Sequence, residues 1–191
     1  MKRTLAIGLV LLFSVCMLAG CSGGDGGSSP ANASSPPADE SPAGTKGETY
    51  SAGNISAVVP EGWMAFPFYS GGEESPNTFS VHKGALSAMD MRSTPGVQIQ
   101  LFPGGSGFGS NTQKDIYEDV MDLAPLTLGS YTWEGFSGLT KNSAGEYALP
   151  FSILWTDAGS DKIQVTVWLD MDGNTITLLD ADVQGILASI K

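Results

Sequence analysis

The chain has 191 residues and a formal net charge of −11 at pH 7, from 20 acidic and 9 basic side chains. An anionic surface repels phosphate backbones, so nucleic-acid binding is excluded as an expected function. The sequence contains one histidine, His82, and two cysteines, Cys16 and Cys21. A histidine–cysteine zinc site needs more of these residues, and a histidine-dependent catalytic triad could be built only on His82, so we expect neither of them, and no cofactor.

The first segment of the chain has the pattern of an export signal. Lys2 and Arg3 precede an apolar run from Leu5 to Leu18 that contains no charged residue. These are the charged and hydrophobic regions of a secretory signal peptide. An apolar helix of about 14 residues spans roughly 21 Å, which is short of the ~30 Å hydrocarbon core of a bilayer. We therefore predict that residues 1–20 are a cleaved signal and not a transmembrane anchor.

Leu18, Ala19, Gly20 and Cys21 follow directly, and this tetrapeptide resembles the lipobox of bacterial lipoproteins. The resemblance implies cleavage before Cys21, a diacylglycerol thioether on its sulfur and a further acyl chain such as palmitate. Two or three acyl chains anchor a protein stably. The expected location is therefore the outer, extracytoplasmic face of a bacterial membrane, with lipid on Cys21 as the membrane contact. The alternative is an ordinary secretory signal followed by an unpaired thiol.

A polar segment separates this cysteine from the rest of the chain. Residues 22–47 contain no Val, Ile, Leu, Met or aromatic residue, so they cannot bury enough apolar area to offset the entropy of ordering. We predict a disordered linker over residues 21–47, with an average reach of roughly 25–30 Å. Residues 48–191 have the size of one domain with its own core.

Alternating hydrophobicity predicts most of this domain to be strands. The clearest are residues 147–156 and 162–170, joined by a hairpin turn at 157–161. The sheet is expected to be mostly antiparallel. Further strands are predicted at 55–59, 63–68, 78–82, 97–102 and, with a glycine break, 126–139.

Two segments have helical periodicity. Ile116, Val120 and Leu123 predict a helix over residues 112–123. The second helix is predicted over residues 181–190, with Asp180 as its N-cap. The predicted fold class is therefore α+β, a mostly antiparallel sheet with helices packed on its faces. The apolar stripe of the second helix is Val183, Ile186, Leu187 and Ile190.

The order of these elements resembles that of the PsbP-like lipoproteins. The resemblance rests on the signal and linker, the turn Pro60-Glu61-Gly62-Trp63, a strand with Gly129 and Trp133, and the C-terminal Leu187-Ala188-Ser189-Ile190-Lys191. It implies an α/β/α sandwich and a family of largely non-enzymatic accessory and binding proteins. No functional residue of that family is carried over to a position of this chain.

A glycine-rich stretch, Gly104 to Gly109, lies between a predicted strand and a predicted helix. Ser110 occupies the position of the last glycine of a dinucleotide fingerprint, and no lysine completes a P-loop. We interpret the stretch as a connecting loop whose possible role is an adaptable lip over a binding face, with Phe108 as a contact.

Other motifs fail in the same way. Asp170, Asp172 and Asn174 suggest a calcium loop, but Thr175 and Ala181 stand where an EF-hand needs glycine and an acid. Around Ser137, the closing glycine of a nucleophile elbow is missing. We predict no metal site and no catalytic residue.

Two features remain as candidate contacts. Asp115, Glu118, Asp119 and Asp122 share one face of the predicted helix 112–123, and such carboxylates diverge into solvent or form a docking surface for a basic partner. Trp168 falls on the polar side of its strand. It is core if helices cover both sheet faces and a ligand contact if it is exposed.

The sequence thus favours a non-catalytic binding or accessory module of the cell envelope, not an enzyme. The alternatives are a receptor for a small ligand such as a sugar or an aromatic compound, and a hydrolase of unrecognised type. A protein partner in the envelope is compatible with the first hypothesis, and no oligomeric state is predicted.

Overall fold

The computed structural model describes residues 47–141 and 144–191. The predicted signal peptide, Cys21 and nearly all of the predicted linker lie outside these residues. Among the described residues no helix is long and apolar enough to cross a membrane. The elements are β1 Thr49–Ala52, β2 Ile55–Val58, β3 Trp63–Ser70, β4 Glu73–Lys83, β5 Gly96–Phe102, β6 Glu118–Asp122, β7 Leu126–Leu128, β8 Tyr131–Lys141, β9 Tyr147–Ala158, β10 Asp161–Trp168, β11 Asp170–Met171, β12 Asn174–Thr175 and the helix α1 Ala181–Ser189.

The main sheet has the strand order β3-β4-β5-β10-β9-β8-β6, and β7 pairs with β8 beside β6. Every pairing in it is antiparallel. The hairpins β3–β4, β8–β9 and β9–β10 join strands that are neighbours in sequence. In contrast, β10 pairs with β5, which lies much earlier in the chain. The order places β3 at one edge of the sheet and β6 and β7 at the other.

One face of this sheet, which we call the helix face, is covered by α1 and by the β1–β2 hairpin. Val183, Ile186 and Leu187 of α1 are completely buried there, as the apolar stripe of the sequence predicts. The indole Nε1 of Trp63 donates to Asp182 at 3.0 Å and fixes the start of α1 against β3. The sheet contributes Ala65, Phe79, Val81, Val97, Ile99, Ile163, Val165 and Val167 to this core.

The opposite face, which we call the loop face, is covered by two loops. The first, residues 84–95, contains a short 3-10 helix and reaches Ser80 through Met91 Sδ, 3.6 Å from Ser80 Oγ. The second, residues 103–117, reaches a small aromatic cluster through Tyr117. No α-helix lies on this face among the described residues.

The predicted α+β class with helices on the sheet faces is therefore wrong, and so is the sandwich that the PsbP-like resemblance implies. The described residues form a β-rich fold with one α-helix. The predicted helix over 112–123 is a 3-10 turn, Lys114–Ile116, followed by strand β6. Asp119 has φ 51°, which no α-helix accommodates.

Burial explains this error. In the predicted helix Ile116 should face the core, yet its side chain is 47% exposed. Tyr117 and Val120 instead pack against the aromatic cluster of the loop face, and β6 pairs with the edge of β8. The spacing of three apolar residues fitted a helix, but tertiary packing and strand pairing decided the structure.

Other predictions of elements are confirmed. The strands at 147–156 and 162–170 are observed as β9 and β10, and the turn between them is a hairpin. The predicted glycine break separates β7 from β8 at Gly129. The predicted helix at 181–190 is α1; its Asp180 occupies the N-cap position, but the carboxylate accepts from the Thr177 hydroxyl at 2.7 Å instead of capping the helix.

Candidate functional site

The loop face carries rows of polar and aromatic side chains across the central strands. Gln98 pairs with Thr166, and Gln100 pairs with Gln164, where β5 meets β10. At the end of β10, Trp168 pairs with Phe151 of β9. The alternation of β5 places these amides opposite its buried Val, Ile and Leu side chains, so the loop face of the sheet centre is polar while the helix face is apolar.

Trp168 lines a cavity of about 170 Å³ on this face, which we call the inner cavity. Its ring centroid lies 6.3 Å from that of Phe151, and its side chain is only half-buried. Trp168 is thus neither a core residue nor a fully exposed one. The inner cavity is lined by Gln98, Asn111, Tyr117, Thr140, Phe151, Ile153, Thr166 and Trp168.

Tyr117 lines the inner cavity and connects it to the preceding part of the loop 103–117. Its ring lies 4.6 Å from Phe151 and 5.7 Å from Phe136, centroid to centroid. Its hydroxyl donates to the backbone oxygen of Asn111 at 3.1 Å. Burial raises the pKa of Tyr117 above its ordinary value, so the phenol is neutral near pH 7. Tyr117 therefore holds Asn111 in place without adding charge.

A larger cavity of about 400 Å³, the outer cavity, continues from Asn111 toward the start of β4. Asn111 lines both cavities, so we treat the two as one cleft. The glycine-rich loop, residues 103–111, forms one wall of it. The other lining residues are Ser75, Pro76, Asn77, Thr78, Gln100, Leu101 and Phe102.

The glycine-rich loop is held at its start by the β9–β10 hairpin. The amide of Gly104 donates to Asp161 Oδ1 at 2.9 Å. Phe108 packs edge-on against Phe102, with centroids 5.7 Å apart, and Lys162 Nζ lies 5.5 Å from the Phe108 centroid. Phe108, a candidate contact from the sequence, thus anchors the loop beside the outer cavity, while Ser106, Gly107 and Ser110 line it.

Gln164 occupies the middle of the loop face with an unusual environment. Its side chain is 3% exposed, and its Oε1 has no hydrogen-bond partner among the described residues. It pairs with Gln100, which lines the outer cavity, and lies two residues from Thr166, which lines the inner one. A buried carbonyl oxygen without a donor costs about 1–3 kcal/mol. A water molecule or a ligand hydroxyl would satisfy it.

The lining of the cleft is uncharged. Among the described residues that line either cavity, none has an ionised side chain, although the chain as a whole carries 29 acidic and basic residues. The polar groups are carboxamides and hydroxyls, which donate and accept hydrogen bonds but supply no counter-charge to an ionised ligand. In the described part of the chain, no group of three metal-ligating side chains is present either.

The four predicted acidic contacts are not part of this cleft. Asp115 lies in the 3-10 turn and the other three lie on the edge strand β6; all are exposed, and Asp122 forms an ion pair with Lys114. The predicted helix 112–123, which would have placed all four on one side, does not form. Charges along an edge strand oppose pairing with other chains. The remaining two acids of β6 are Glu118 and Asp119.

His82, near the end of β4 and in contact with Thr94 of the loop 84–95, gives a prediction about pH. Its Nδ1 lies 3.2 Å from the carbonyl oxygen of Thr94, which only accepts, so Nδ1 carries the proton. Burial lowers the pKa of His82 below its ordinary value of 6.5, so the unfolded chain binds a proton that the folded chain does not. Stability is thus complete above about pH 6.5 and falls as the pH drops below it.

The measurement is denaturant unfolding of the protein from pH 7.5 down to pH 5. A His82→Gln variant should lose this part of the pH dependence, whatever its absolute stability. An unchanged slope in that variant would assign the effect to carboxylates.

Comparison with known proteins adds little to this geometry. No family model matches the chain, and no curated protein matches it. Solved structures do match, among them a crystal structure of a protein from Bacteroides thetaiotaomicron VPI-5482 at 13% sequence identity and a TM-score of 0.47. That match covers 77% of this chain and 48% of the other, so this chain spans about half the length of that protein.

Proposed function

We propose that the protein is a lipid-anchored, extracytoplasmic binding module, and that its cleft takes a neutral polyhydroxylated ligand, an oligosaccharide. The observation that carries the proposal is the half-buried Trp168, which lines with Tyr117 a cleft whose described lining residues are all uncharged. Aromatic rings next to a few convergent hydrogen-bonding groups are typical of small-molecule sites.

The chemistry of this lining suits a sugar. The face of an aromatic ring is electron-rich and packs against the C–H groups of a pyranose face. Carboxamides such as those of Gln98 and Asn111 offer a donor and an acceptor to neighbouring hydroxyls. A charged ligand would find no counter-ion in the described lining, and burying its charge unpaired would be unfavourable.

The dimensions favour a chain of sugars over a single ring. The inner cavity of about 170 Å³ is below the range of ordinary ligand pockets, roughly 300–1,000 Å³. The outer cavity of about 400 Å³ adjoins it at Asn111. A ligand that fills both would lie along Gln98, Gln100 and Thr166 at the centre of the sheet.

The same lining favours binding over hydrolysis. Glycosidases use two carboxylates on either side of the scissile bond. The described residues that line the cleft include no Asp or Glu. Tyr117 is held as a neutral phenol and donates to the Asn111 backbone, a positioning role.

The proposed ligand is tested by binding to the mature chain, with neutral oligosaccharides and uronic-acid oligosaccharides of equal length as the panel. Tryptophan fluorescence reports on occupancy, since Trp168 lines the site. We expect neutral oligosaccharides to bind and affinity to increase with length beyond one ring. Binding only of acidic sugars, or of none, would contradict the proposed ligand while leaving the anchor untouched.

The anchor gives an independent prediction. Cys21→Ser removes the only cysteine of the predicted mature chain and should move the protein from the membrane fraction to the soluble fraction. Mass spectrometry of the wild-type protein should show a chain that begins at Cys21 and carries acyl groups. An uncleaved signal or a bare Cys21 would refute the anchor.

A further inference from the structure

Three large apolar side chains are exposed to an extent unmatched by other large apolar side chains in the described part of the chain. Met89, Leu86 and Leu179 are 86%, 84% and 81% exposed. Single exposed apolar residues are common on protein surfaces. These three call for an explanation because Leu86 and Leu179 lie close in sequence to the end of the sheet where the described chain begins, and Met89 belongs to the same loop as Leu86 and lies beside strand β3.

Hydrogen bonds place the start of the loop 84–95 and the start of α1 at the same end of the sheet. Leu86 and Met89 belong to the loop 84–95, whose first amide, at Gly84, donates to Gly62 at 2.9 Å. Trp63, the next residue, donates from its indole to Asp182 in the first turn of α1. Leu179 lies two residues before α1 begins.

The described chain begins at the same end. The amide of Gly47 donates to the carbonyl of Val59 at 3.0 Å, and Val59 precedes the turn that leads to Gly62 and Trp63. We call this the entry end of the sheet, defined by Gly47, residues 59–63, the loop 84–95 and residues 176–182. A lipid anchor on Cys21 would therefore be connected to the folded residues at this end.

Internal hydrogen bonds hold the conformation of the loop 84–95, which carries Leu86 and Met89. Asp90 Oδ2 accepts from the amides of Leu86 and Ser87, both at 2.8 Å, and the Thr94 hydroxyl donates to the Asp90 carbonyl at 2.8 Å. These bonds satisfy backbone groups that would otherwise have to be hydrated. A loop whose amides are paired internally enters a less polar medium at lower cost.

A groove runs beside the exposed residues. It encloses about 370 Å³ between this loop and strand β3, and its walls include Met89, Met91, Phe66 and Tyr69, with Arg92 at its margin. Apolar side chains with a nearby cation match the acyl chains and phosphates of a lipid headgroup region.

We infer that the entry end docks on the surface of the bilayer, with Leu86, Met89 and Leu179 inserted among the lipid headgroups; the inference rests on the proposed anchor at Cys21. The reach predicted for the linker, roughly 25–30 Å, would permit this contact. The outer cavity then opens away from the membrane, because the glycine-rich loop follows β5 at the opposite end of the sheet.

The charges of the side chains at the entry end determine which lipid headgroups favour this contact. The entry end carries four acids, Glu61, Asp90, Asp180 and Asp182, against two bases, Lys83 and Arg92, so its net charge is negative and anionic headgroups repel it. The contact should therefore be strongest on zwitterionic phosphatidylcholine vesicles and weaker when phosphatidylglycerol is added.

The test uses the acylated mature chain reconstituted in phosphatidylcholine vesicles that contain a lipid-borne nitroxide. An environment-sensitive fluorophore is attached to Met89→Cys, or in a second variant to Leu86→Cys, since the acylated chain has no other thiol. The matched control is Met121→Cys on the edge strand β6, where the native methionine is 67% exposed. We expect the label at position 89 to shift to the blue and lose most of its intensity, and the label at position 121 to do neither.

Three outcomes would overturn the inference. Equal quenching at positions 89 and 121 in vesicles that carry the protein would reject this orientation while the anchor stands. A blue shift at 89 that depends on protein concentration and not on lipid would assign the patch to a second copy of the chain. Failure of the protein to float with the vesicles would overturn the anchor and this inference together.

Discussion

Replacing Trp168 with alanine should weaken binding of a neutral oligosaccharide by about 2 kcal/mol, roughly a 30-fold rise in Kd, because a buried aromatic anchor commonly carries that much of a binding energy. Trp168 is the largest side chain that lines the inner cavity, and its ring lies 6.3 Å from that of Phe151, centroid to centroid. Titration calorimetry on the Cys21→Ser protein measures the change.

The chain offers a matched control in Trp155. This tryptophan is also half-buried and lies on the neighbouring strand β9, but it lines a separate cavity with Glu134 and Lys162. Trp155→Ala removes the same side chain from the same sheet face and should leave the Kd within about twofold. Equal losses in both variants would mean that the cleft at Trp168 is not the binding site. Unfolding of each variant separates lost binding from lost folding.

Leu187→Ala should lower the free energy of unfolding by about 2–5 kcal/mol, the cost of emptying a buried leucine site. Leu187 is completely buried on the helix face, beside Val183 and Ile186. A domain is typically stable by about 5–15 kcal/mol, so this single truncation removes a large share of the total. Denaturant unfolding of the Cys21→Ser protein gives the difference.

Leu179→Ala is the control for this change. Leu179 is the same residue type in the same part of the chain, but its side chain is 81% exposed. Its truncation should alter the free energy of unfolding by less than about 0.5 kcal/mol. If Leu187→Ala behaved like Leu179→Ala, α1 would not be part of the core in solution.

The strands and the terminal helix could be predicted because their periodicity is local. Residues 162–170 alternate strictly, and α1 repeats its apolar residues at helical spacing, so each pattern allowed one structure. The pattern of residues 112–123, in contrast, allowed more than one structure. Their three apolar residues fitted a helix, but the position of β6 depends on pairing with β8 and on the contact of Tyr117 with Phe151. Neither is visible within the segment itself.

The candidate site was predictable only in part. Trp168 on the polar side of its strand was the correct signal, and the glycine-rich loop does lie beside the cleft. Gln98 and Gln100 gave a similar signal, because both alternate with buried residues of β5. Asn111 gave none, since its place between the cavities follows from the hydrogen bond that Tyr117 makes to its backbone.

The assignment of the four acidic residues failed for the same reason as the helix. Their common face existed only in the predicted helix 112–123. In β6 the alternation of the strand, with a bulge at Asp119, distributes them along an exposed edge. The site is thus assembled from the loop 103–117 and five strands, β4, β5, β8, β9 and β10, and no local pattern contains that arrangement.

The central claim is that the cleft beside Trp168 binds a neutral oligosaccharide, and the four tryptophans of the chain allow a direct measurement. Each indole N–H gives its own signal in a proton–nitrogen correlation spectrum, with Trp63 and Trp133 buried and Trp155 on the same face outside the cleft. On titration with a neutral oligosaccharide, the Trp168 signal should move and saturate while the other three stay in place. A shift of Trp155 alone, or no shift at Trp168 at saturating sugar, would contradict the claim.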